Sequence, residues 1–248
     1  MSSCLQQLPA LTESVCPGIN GKVGYTGQSG IIAGGSNQCH LAALYQHWYQ
    51  AHPEAGVAYA GLRCWTLLCW QPALVAVLSV HRLGIVPDLC TIKQVINNGI
   101  VFGFELSERE TSCRLDALIV RAARQLRQLS EGLLQELTAV TPVKKKLAFR
   151  FLADCLMDAL IKMYRMEQNP RSEDFQYWAH CWLSAMNQQN DSALMLLPIK
   201  GATDGLGLQR KTCCLHYRRC DGELCASCPK QTLTIRKQRL RDEWRAHV

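Results

Sequence analysis

The fold class follows from residues 112–137, which read SCRLDALIVRAARQLRQLSEGLLQEL. Apolar residues recur in this stretch at spacings of three and four, which places them on one face of an α-helix. Ser112 is the predicted N-cap. The apolar stripe consists of Leu115, Leu118, Ala122, Leu126, Leu129, Leu133 and Leu137. A helix with one apolar face must pack against other elements, so the stretch predicts a helical layer around a hydrophobic core.

Three further segments carry helix signals. They are a helix capped at Ser36–Asn37 that runs to about Gln50, a helix opened by Thr141–Pro142 with Lys144, Lys145 and Lys146 on its first turn, and a helix from about Ser172 to Gln188. Trp178 and Trp182 lie one turn apart on the last of these and are expected to anchor it in the core or at its rim, with the lining of a ligand groove as the alternative.

The most apolar stretch runs from Gly56 to Val80. Pro72 lacks an amide donor and disfavours helical geometry at Gln71, so two buried helices that meet at a kink are preferred to one membrane span. Arg63 lies inside this stretch, and a buried guanidinium needs a partner, for which a structural carboxylate is favoured over a substrate. Peripheral contact with a membrane remains an open alternative.

A β-hairpin is predicted where Thr91–Ile96 and Ile100–Leu106 flank Asn97-Asn98-Gly99, because this turn supplies positive φ angles. The first 35 residues are interpreted as loop and turn with short strands. The chain is therefore expected to have an α+β fold, predominantly helical, with a small hairpin or sheet. Residues 1–200 are predicted to form the mainly helical substrate-binding domain, and residues 201–248 a C-terminal metal-binding segment that follows a linker, Gly201–Leu208, and ends in a basic helix.

Cysteine usage points to a reducing compartment. The chain has 248 residues and fourteen cysteines. Its start lacks the charged and apolar regions of a secretory signal, so a cytosolic location is expected, where cysteines are ligands, redox groups or packed side chains. Nine cysteines lack ligand spacing and are expected to be packed. They are Cys4, Cys16, Cys39, Cys64, Cys69, Cys90, Cys113, Cys155 and Cys181.

Positive charge is concentrated at the C-terminal end. Residues 200–248 contain eleven Lys or Arg residues and five Asp or Glu residues, which accounts for most of the net charge of +7. Such a basic surface attracts acidic proteins, anionic chelates, phosphate or acidic lipid headgroups.

The remaining cysteines crowd together near the C-terminus. Cys213, Cys214, Cys225 and Cys228 form the pattern C-C-x10-C-x2-C. Four thiolates can hold structural zinc or an iron–sulfur cluster. Adjacent side chains in extended backbone point to opposite faces, so two irons suit the vicinal pair better than one zinc ion. Cys220 opens a second ligand set, because C-x4-C-x2-C is the partial spacing of plant-type [2Fe–2S] ferredoxins.

The run Arg210-Lys-Thr-Cys-Cys-Leu-His-Tyr-Arg, followed after ten residues by Cys225-Ala-Ser-Cys228-Pro, resembles the C-terminal signature of the FhuF-type ferric-siderophore reductases. The resemblance covers about residues 208–230, with weaker likeness around Gly61-Leu-Arg-Cys-Trp and Trp70-Gln-Pro. It implies that Cys213, Cys214, Cys225 and Cys228 hold a [2Fe–2S] cluster and that Cys220 does not. It also implies a helical α+β fold related to a domain of the siderophore synthetases.

The resemblance further implies an oxidoreductase that reduces imported ferric hydroxamate-type siderophores by one electron and so releases Fe(II). The implied partners are a ferric siderophore and an electron donor such as a ferredoxin, a flavodoxin or a flavin reductase; nucleic acid is not expected. The implied location is the cytoplasm, including the inner face of the membrane. Candidate residues for substrate contact or for support of the cluster are Arg210, Lys211, His216, Tyr217 and Arg218. The alternative is a zinc-stabilised binding module whose basic tail docks on nucleic acid or acidic lipid.

Overall fold

The structure is a computed structural model that describes residues 4–199 and 204–246. Helices make up 57% of it and strands 13%, so the predicted α+β class with a helical majority is confirmed. The α-helices are α1 (Leu8–Val15), α2 (Gln38–Ala51), α3 (Gly56–Leu78), α4 (Leu115–Thr138), α5 (Lys145–Met166), α6 (Ser172–Ala185) and α7 (Leu233–Arg245). Short 3₁₀ turns cover Cys4–Gln7, Pro53–Ala55, Leu89–Thr91 and His216–Arg218, and a π-helical turn covers Ser79–Leu83.

The strands form one four-stranded sheet and two strand pairs among the described residues. They are β1 (Gly21–Val23), β2 (Gly30–Ile32), β3 (Ile85–Pro87), β4 (Lys93–Asn97), β5 (Ile100–Leu106), β6 (Glu110–Ser112), β7 (Leu194–Leu197) and β8 (Gly205–Leu208). The larger sheet has the order β1-β5-β4-β2, in which β1 is parallel to β5 and the other neighbours are antiparallel. The predicted hairpin β4–β5 is confirmed, with φ of 47° at Asn98 and 76° at Gly99.

Helix α3 is the centre of the core and packs against α5, α2 and α4. Its Trp65 is fully buried, and the indole Nε1 donates a hydrogen bond to the carbonyl oxygen of Ala148 on α5 at 2.6 Å. By length and composition the segment Pro53–Leu83 could cross a membrane. Since 83% of its most apolar window is buried inside the protein, its apolar side chains serve the core.

The prediction of two helices meeting at Pro72 is wrong, because α3 continues through this proline. A proline inside a helix leaves the carbonyl four residues earlier without its donor. Here that carbonyl belongs to Leu68, and it accepts a hydrogen bond from Nε2 of Gln94 on β4 at 3.0 Å. Nε2 of Gln71 donates to Oε1 of Gln94 at 3.3 Å, and Oε1 of Gln71 accepts from the amide of Gly103 at 2.6 Å. The sheet therefore supplies the polar partners that let the helix continue.

Several predicted boundaries are corrected. Ser112 does not cap α4: it lies in β6, and its hydroxyl donates to the carbonyl oxygen of Gly84. Six members of the predicted stripe are buried, whereas Leu115 at the start of α4 is 38% exposed. Helix α5 begins three residues after Pro142, at Lys145. Residues of α1 were expected to be loop, but Leu8 and Thr12 of this helix are buried against the core.

The predicted linker contains a strand. Gly205–Leu208 is β8, antiparallel to β7, and it packs against α5 and α7. Gly205 is required here because a Cβ at this position would lie 2.7 Å from the ring of Trp244 on α7. Gly201 and the predicted domain boundary at 200/201 lie outside the described residues, so the division into two domains stays a prediction. The basic terminal helix is observed as α7.

Candidate metal centre

The cysteine segment, residues 210–230, follows β8 and has little regular structure: its one helical turn is His216–Arg218. Leu215 precedes this turn with φ of +63°, a left-handed conformation that is uncommon for a branched residue. The amide of Leu215 donates a hydrogen bond to the sulfur of Cys213 at 3.4 Å. The left-handed residue thus places a backbone donor at one candidate ligand.

The four predicted ligands are brought together as two pairs. The sulfurs of Cys213 and Cys228 lie 3.6 Å apart, and Cys214 and Cys225 line the same cavity and influence each other's pKa. Metal–thiolate distances of about 2.3 Å in tetrahedral geometry place two sulfurs about 3.8 Å apart, so the first pair already has the spacing of two ligands on one metal.

Two pairs suit two irons better than one zinc ion, since each iron of a [2Fe–2S] cluster takes two protein ligands. Within residues 4–199 and 204–246, no three side chains of His, Cys, Asp or Glu are placed to hold a single metal ion. The donor set of four thiolates on one short segment fits a [2Fe–2S] cluster.

The thiols are unequal in acidity. Burial raises the pKa of Cys213 to about 11, whereas the hydrogen bond from Cys225 lowers the pKa of Cys214 to about 5. The same hydrogen bond, with Cys225 as the donor, raises the pKa of Cys225. Because ligands bind metals as thiolates, assembly of a cluster here must release the protons that Cys213 and Cys225 hold.

Side chains from the helical body, which is the described part of the chain outside residues 210–230, hold the cysteine segment in place. Oδ2 of Asp154 on α5 lies 3.5 Å from Nε of Arg210, and Oδ1 of Asp154 accepts a hydrogen bond from the hydroxyl of Ser192. Arg236 on α7 donates to the carbonyl oxygen of Arg210 at 3.4 Å. Glu54 accepts a hydrogen bond from the amide of Cys220 at 3.0 Å. These contacts come from α5, α7 and the turn before α3, so three separate elements anchor the segment.

A cavity of about 140 Å³ lies between the helical body and the Cys214–Cys225 pair. Its lining includes Tyr59, Leu62, Arg63, Thr66 and Phe151 from the body, and Arg210, Cys214, His216 and Cys225 from the cysteine segment. In the other pair, Cys228 is only 1% exposed, whereas Cys213 is partly exposed. The cavity therefore gives access to the centre from the Cys214–Cys225 side.

The five other candidate residues fall into two groups. Arg210 and His216 line the cavity, and the His216 ring lies 6.3 Å from the ring of Tyr59. Lys211 and Arg218 are exposed, and Tyr217 lies under the ammonium group of Lys230, 5.1 Å from it. The cavity walls on α3 and α5 were not predicted as site residues, because nothing in the spacing of Tyr59, Thr66 or Phe151 links them to residues 210–230.

Cys220 and Arg63 have surroundings that bear on the sequence hypotheses. Cys220 is exposed, and both its amide and its thiol face the Glu54 carboxylate, which favours the ligand set without it. The predicted structural carboxylate beside Arg63 is absent from the described ranges: the guanidinium stacks on Trp48 instead, with Cζ 4.4 Å from the ring centroid.

Packing of the nine scattered cysteines was predicted correctly for some and wrongly for others. Cys64 and Cys69 are buried, and Cys16, Cys90, Cys155 and Cys181 are partly buried. Cys4, Cys39 and Cys113 are exposed, because they lie at the start of a turn, on the outer face of α2 and between β6 and α4.

Residues 210–230 match the family model of the FhuF 2Fe-2S C-terminal domain. The cysteine segment is an FhuF-type [2Fe–2S] domain. The resemblance seen in the sequence is thereby confirmed for this segment, as is the predicted cofactor. No solved structure matches the chain. The protein is thus an iron–sulfur protein, and its cluster segment, which is similar to the FhuF type, is mounted on a helical body.

Proposed function

We propose that this protein is a ferric-siderophore reductase that uses its [2Fe–2S] cluster to reduce Fe(III) in oxygen-donor chelates of the hydroxamate type. The observation that carries the proposal is the match of residues 210–230 to the FhuF 2Fe-2S domain. It is supported by the position of the Cys214–Cys225 pair beside a cavity that opens between the segment and the body.

Cys213, Cys214, Cys225 and Cys228 would hold the cluster. When bound, the cluster supplies one electron at a potential set by its thiolates, its hydrogen bonds and its exposure. The chain's own part is to place that centre near the surface and to direct the Leu215 amide at the sulfur of Cys213. Fe(III) in the chelate gains the electron and becomes Fe(II), whose lower charge density weakens its bonds to oxygen ligands.

The surroundings of the cysteine segment are basic. Lys211, Arg218 and Lys230 are exposed, so they would attract an acidic electron donor or the oxygen-rich surface of a chelate. We propose that the donor is a ferredoxin, a flavodoxin or a flavin reductase and that the reaction takes place in the cytoplasm. Peripheral contact with the inner face of the membrane belongs to the same proposal.

Stopped-flow oxidation of the reduced protein tests this function. Protein purified without oxygen and reduced with dithionite is mixed with ferric complexes of hydroxamate, catecholate and carboxylate chelators, and the visible absorption of the cluster is followed. We expect hydroxamate complexes to reoxidise the cluster with release of one Fe(II) per electron, trapped by a ferrous-specific chelator. Retention of the reduced spectrum with every ferric complex would exclude the proposed reaction while leaving the cluster assignment intact.

A further inference from the structure

Arg63 is placed on the cavity side of the centre although it belongs to α3, far away in sequence. It lines the cavity together with the thiols of Cys214 and Cys225. The residue is therefore close to one of the two cysteine pairs and separate from the chain that carries them.

The Arg63 guanidinium is poorly compensated in the protein itself. Its Nε is buried without a hydrogen-bond partner, and no carboxylate of the described residues forms an ion pair with it. Its observed contact is the face of Trp48. Burial lowers the pKa of Arg63, which is the expected effect of removing a cation from water without an anion beside it.

The neighbouring cations have partners. Arg210 faces the Asp154 carboxylate, and Arg219 forms a bidentate pair with Asp221. Arg218 is exposed, so water screens its charge. On the Cys214–Cys225 side, Arg63 is thus the cation that is buried and has no carboxylate partner among residues 4–199 and 204–246.

We propose that Arg63 is the positive charge that faces the cluster on its Cys214–Cys225 side and raises its reduction potential. Two irons held by four thiolates carry a net negative charge, and this charge grows by one on reduction. A fixed cation with low solvent screening stabilises the more negative, reduced state. The negatively charged cluster would also give the guanidinium an anionic neighbour, which the polypeptide itself does not provide. Arg63 would act through the cluster as a residue that sets its potential.

Redox titration tests this role in the holoprotein, monitored by visible absorption and EPR with no ferric chelate present. In Arg63→Gln we expect the equilibrium constant for reduction by a fixed donor to fall about tenfold, which is a shift of about 59 mV to lower potential. The matched control is Arg218→Gln, which removes the same charge from an exposed position in the cysteine segment. We expect a change of less than about threefold in the control, because water screens this charge.

Arg63→Lys separates charge from packing. We expect this variant to keep the cluster and to change the reduction potential less than Arg218→Gln does, since the charge remains. If Arg63→Gln cannot retain a cluster, the potential of Arg63→Lys provides the test. A purely structural role, through the stack on Trp48, would lower the melting temperature of both variants and leave the potential unchanged; that result, or a larger drop in Arg63→Lys than in Arg218→Gln, would overturn the proposal. Because no siderophore enters the titration, the outcome is independent of the proposed substrate.

Discussion

The cysteine segment and the helical body are held together in different ways. The body buries its apolar side chains, and α3 alone contributes seventeen buried residues. The cysteine segment buries only Ala226 and Cys228 among its twenty-one residues and is shaped by side-chain anchors and a left-handed Leu215. Burial of apolar area is the main stabilising contribution in folded proteins. The body should therefore be stable without the cluster, whereas the cluster depends on a few contacts of the segment.

Removal of one ligand gives the largest expected effect and tests this separation. Cys214→Ser or Cys228→Ser should abolish the visible absorption and the acid-labile sulfide of the purified protein, because each iron needs two thiolates. The far-UV circular dichroism should stay close to that of the native protein, since the helices do not depend on the segment. Absorption and iron content of each variant, purified without oxygen, provide the measurement.

Cys220→Ser is the control for these variants, because Cys220 is exposed and faces Glu54. We expect it to keep the native spectrum. If Cys220→Ser loses its colour while Cys214→Ser or Cys213→Ser keeps it, the ferredoxin-like ligand set is correct. If a ligand variant loses its helical signal as well, the two regions are not independent.

The same contrast explains what the sequence could reveal. The four cysteines were noticed because they lie within sixteen residues, and the family resemblance of the surrounding sequence then favoured a cluster over zinc and excluded Cys220. The β4–β5 hairpin was predicted because Asn98 and Gly99 adopt the positive φ angles that such a turn requires. Both predictions use residues that are close together in the sequence, so they can be made without knowledge of the tertiary structure.

The errors concern residues whose partners are distant in sequence. Pro72 was expected to break α3, but Gln94 replaces the missing donor from a strand more than twenty residues away. Ser112 was expected to be a cap, but pairing with β3 draws it into β6. The cavity was not predicted at all, because Arg63 and Phe151 meet the cysteine segment only after folding. The sequence shows that Arg63 is a charged residue in an apolar stretch, but it does not show which residues Arg63 contacts.

Gln94→Ala should damage the body and spare the cluster chemistry. The change leaves the Leu68 carbonyl without a donor and the Gln71 amide without its acceptor, both buried beside Pro72. Each unsatisfied buried group costs about 1–3 kcal/mol, so we expect a loss of about 2–4 kcal/mol in the free energy of unfolding. Urea unfolding followed by circular dichroism gives this value.

The spectrum of the folded Gln94→Ala protein should match that of the native protein at low temperature. Gln135→Ala on the exposed face of α4 is a suitable control and should change stability by less than about 0.5 kcal/mol. An effect of Gln94→Ala no larger than that of the control would mean that the polar network does not support the helix at Pro72.

His81 is expected to have a smaller effect on the free energy of unfolding, which appears only at acidic pH and concerns the helical body alone. Its Nε2 accepts a hydrogen bond from the Trp182 indole at 2.9 Å, so the neutral ring is the form that fits. Burial lowers the pKa of His81 to about 4 from 6.5, and the folded state therefore binds this proton less tightly than the unfolded state does. The contribution is fully present above about pH 6.5 and is lost as the pH falls toward 4.

Between pH 7.5 and pH 5 the His81 contribution should fall by about 2 kcal/mol, measured as the difference in unfolding free energy between the native protein and His81→Gln. Glutamine keeps an acceptor for Trp182 but does not titrate, so this variant should lose less stability over the same range. His180→Gln on the exposed side of α6 should follow the native protein. Parallel pH curves for the native protein and His81→Gln would show that His81 is protonated as easily in the folded state as in the unfolded chain, which its burial between Trp178 and Trp182 argues against.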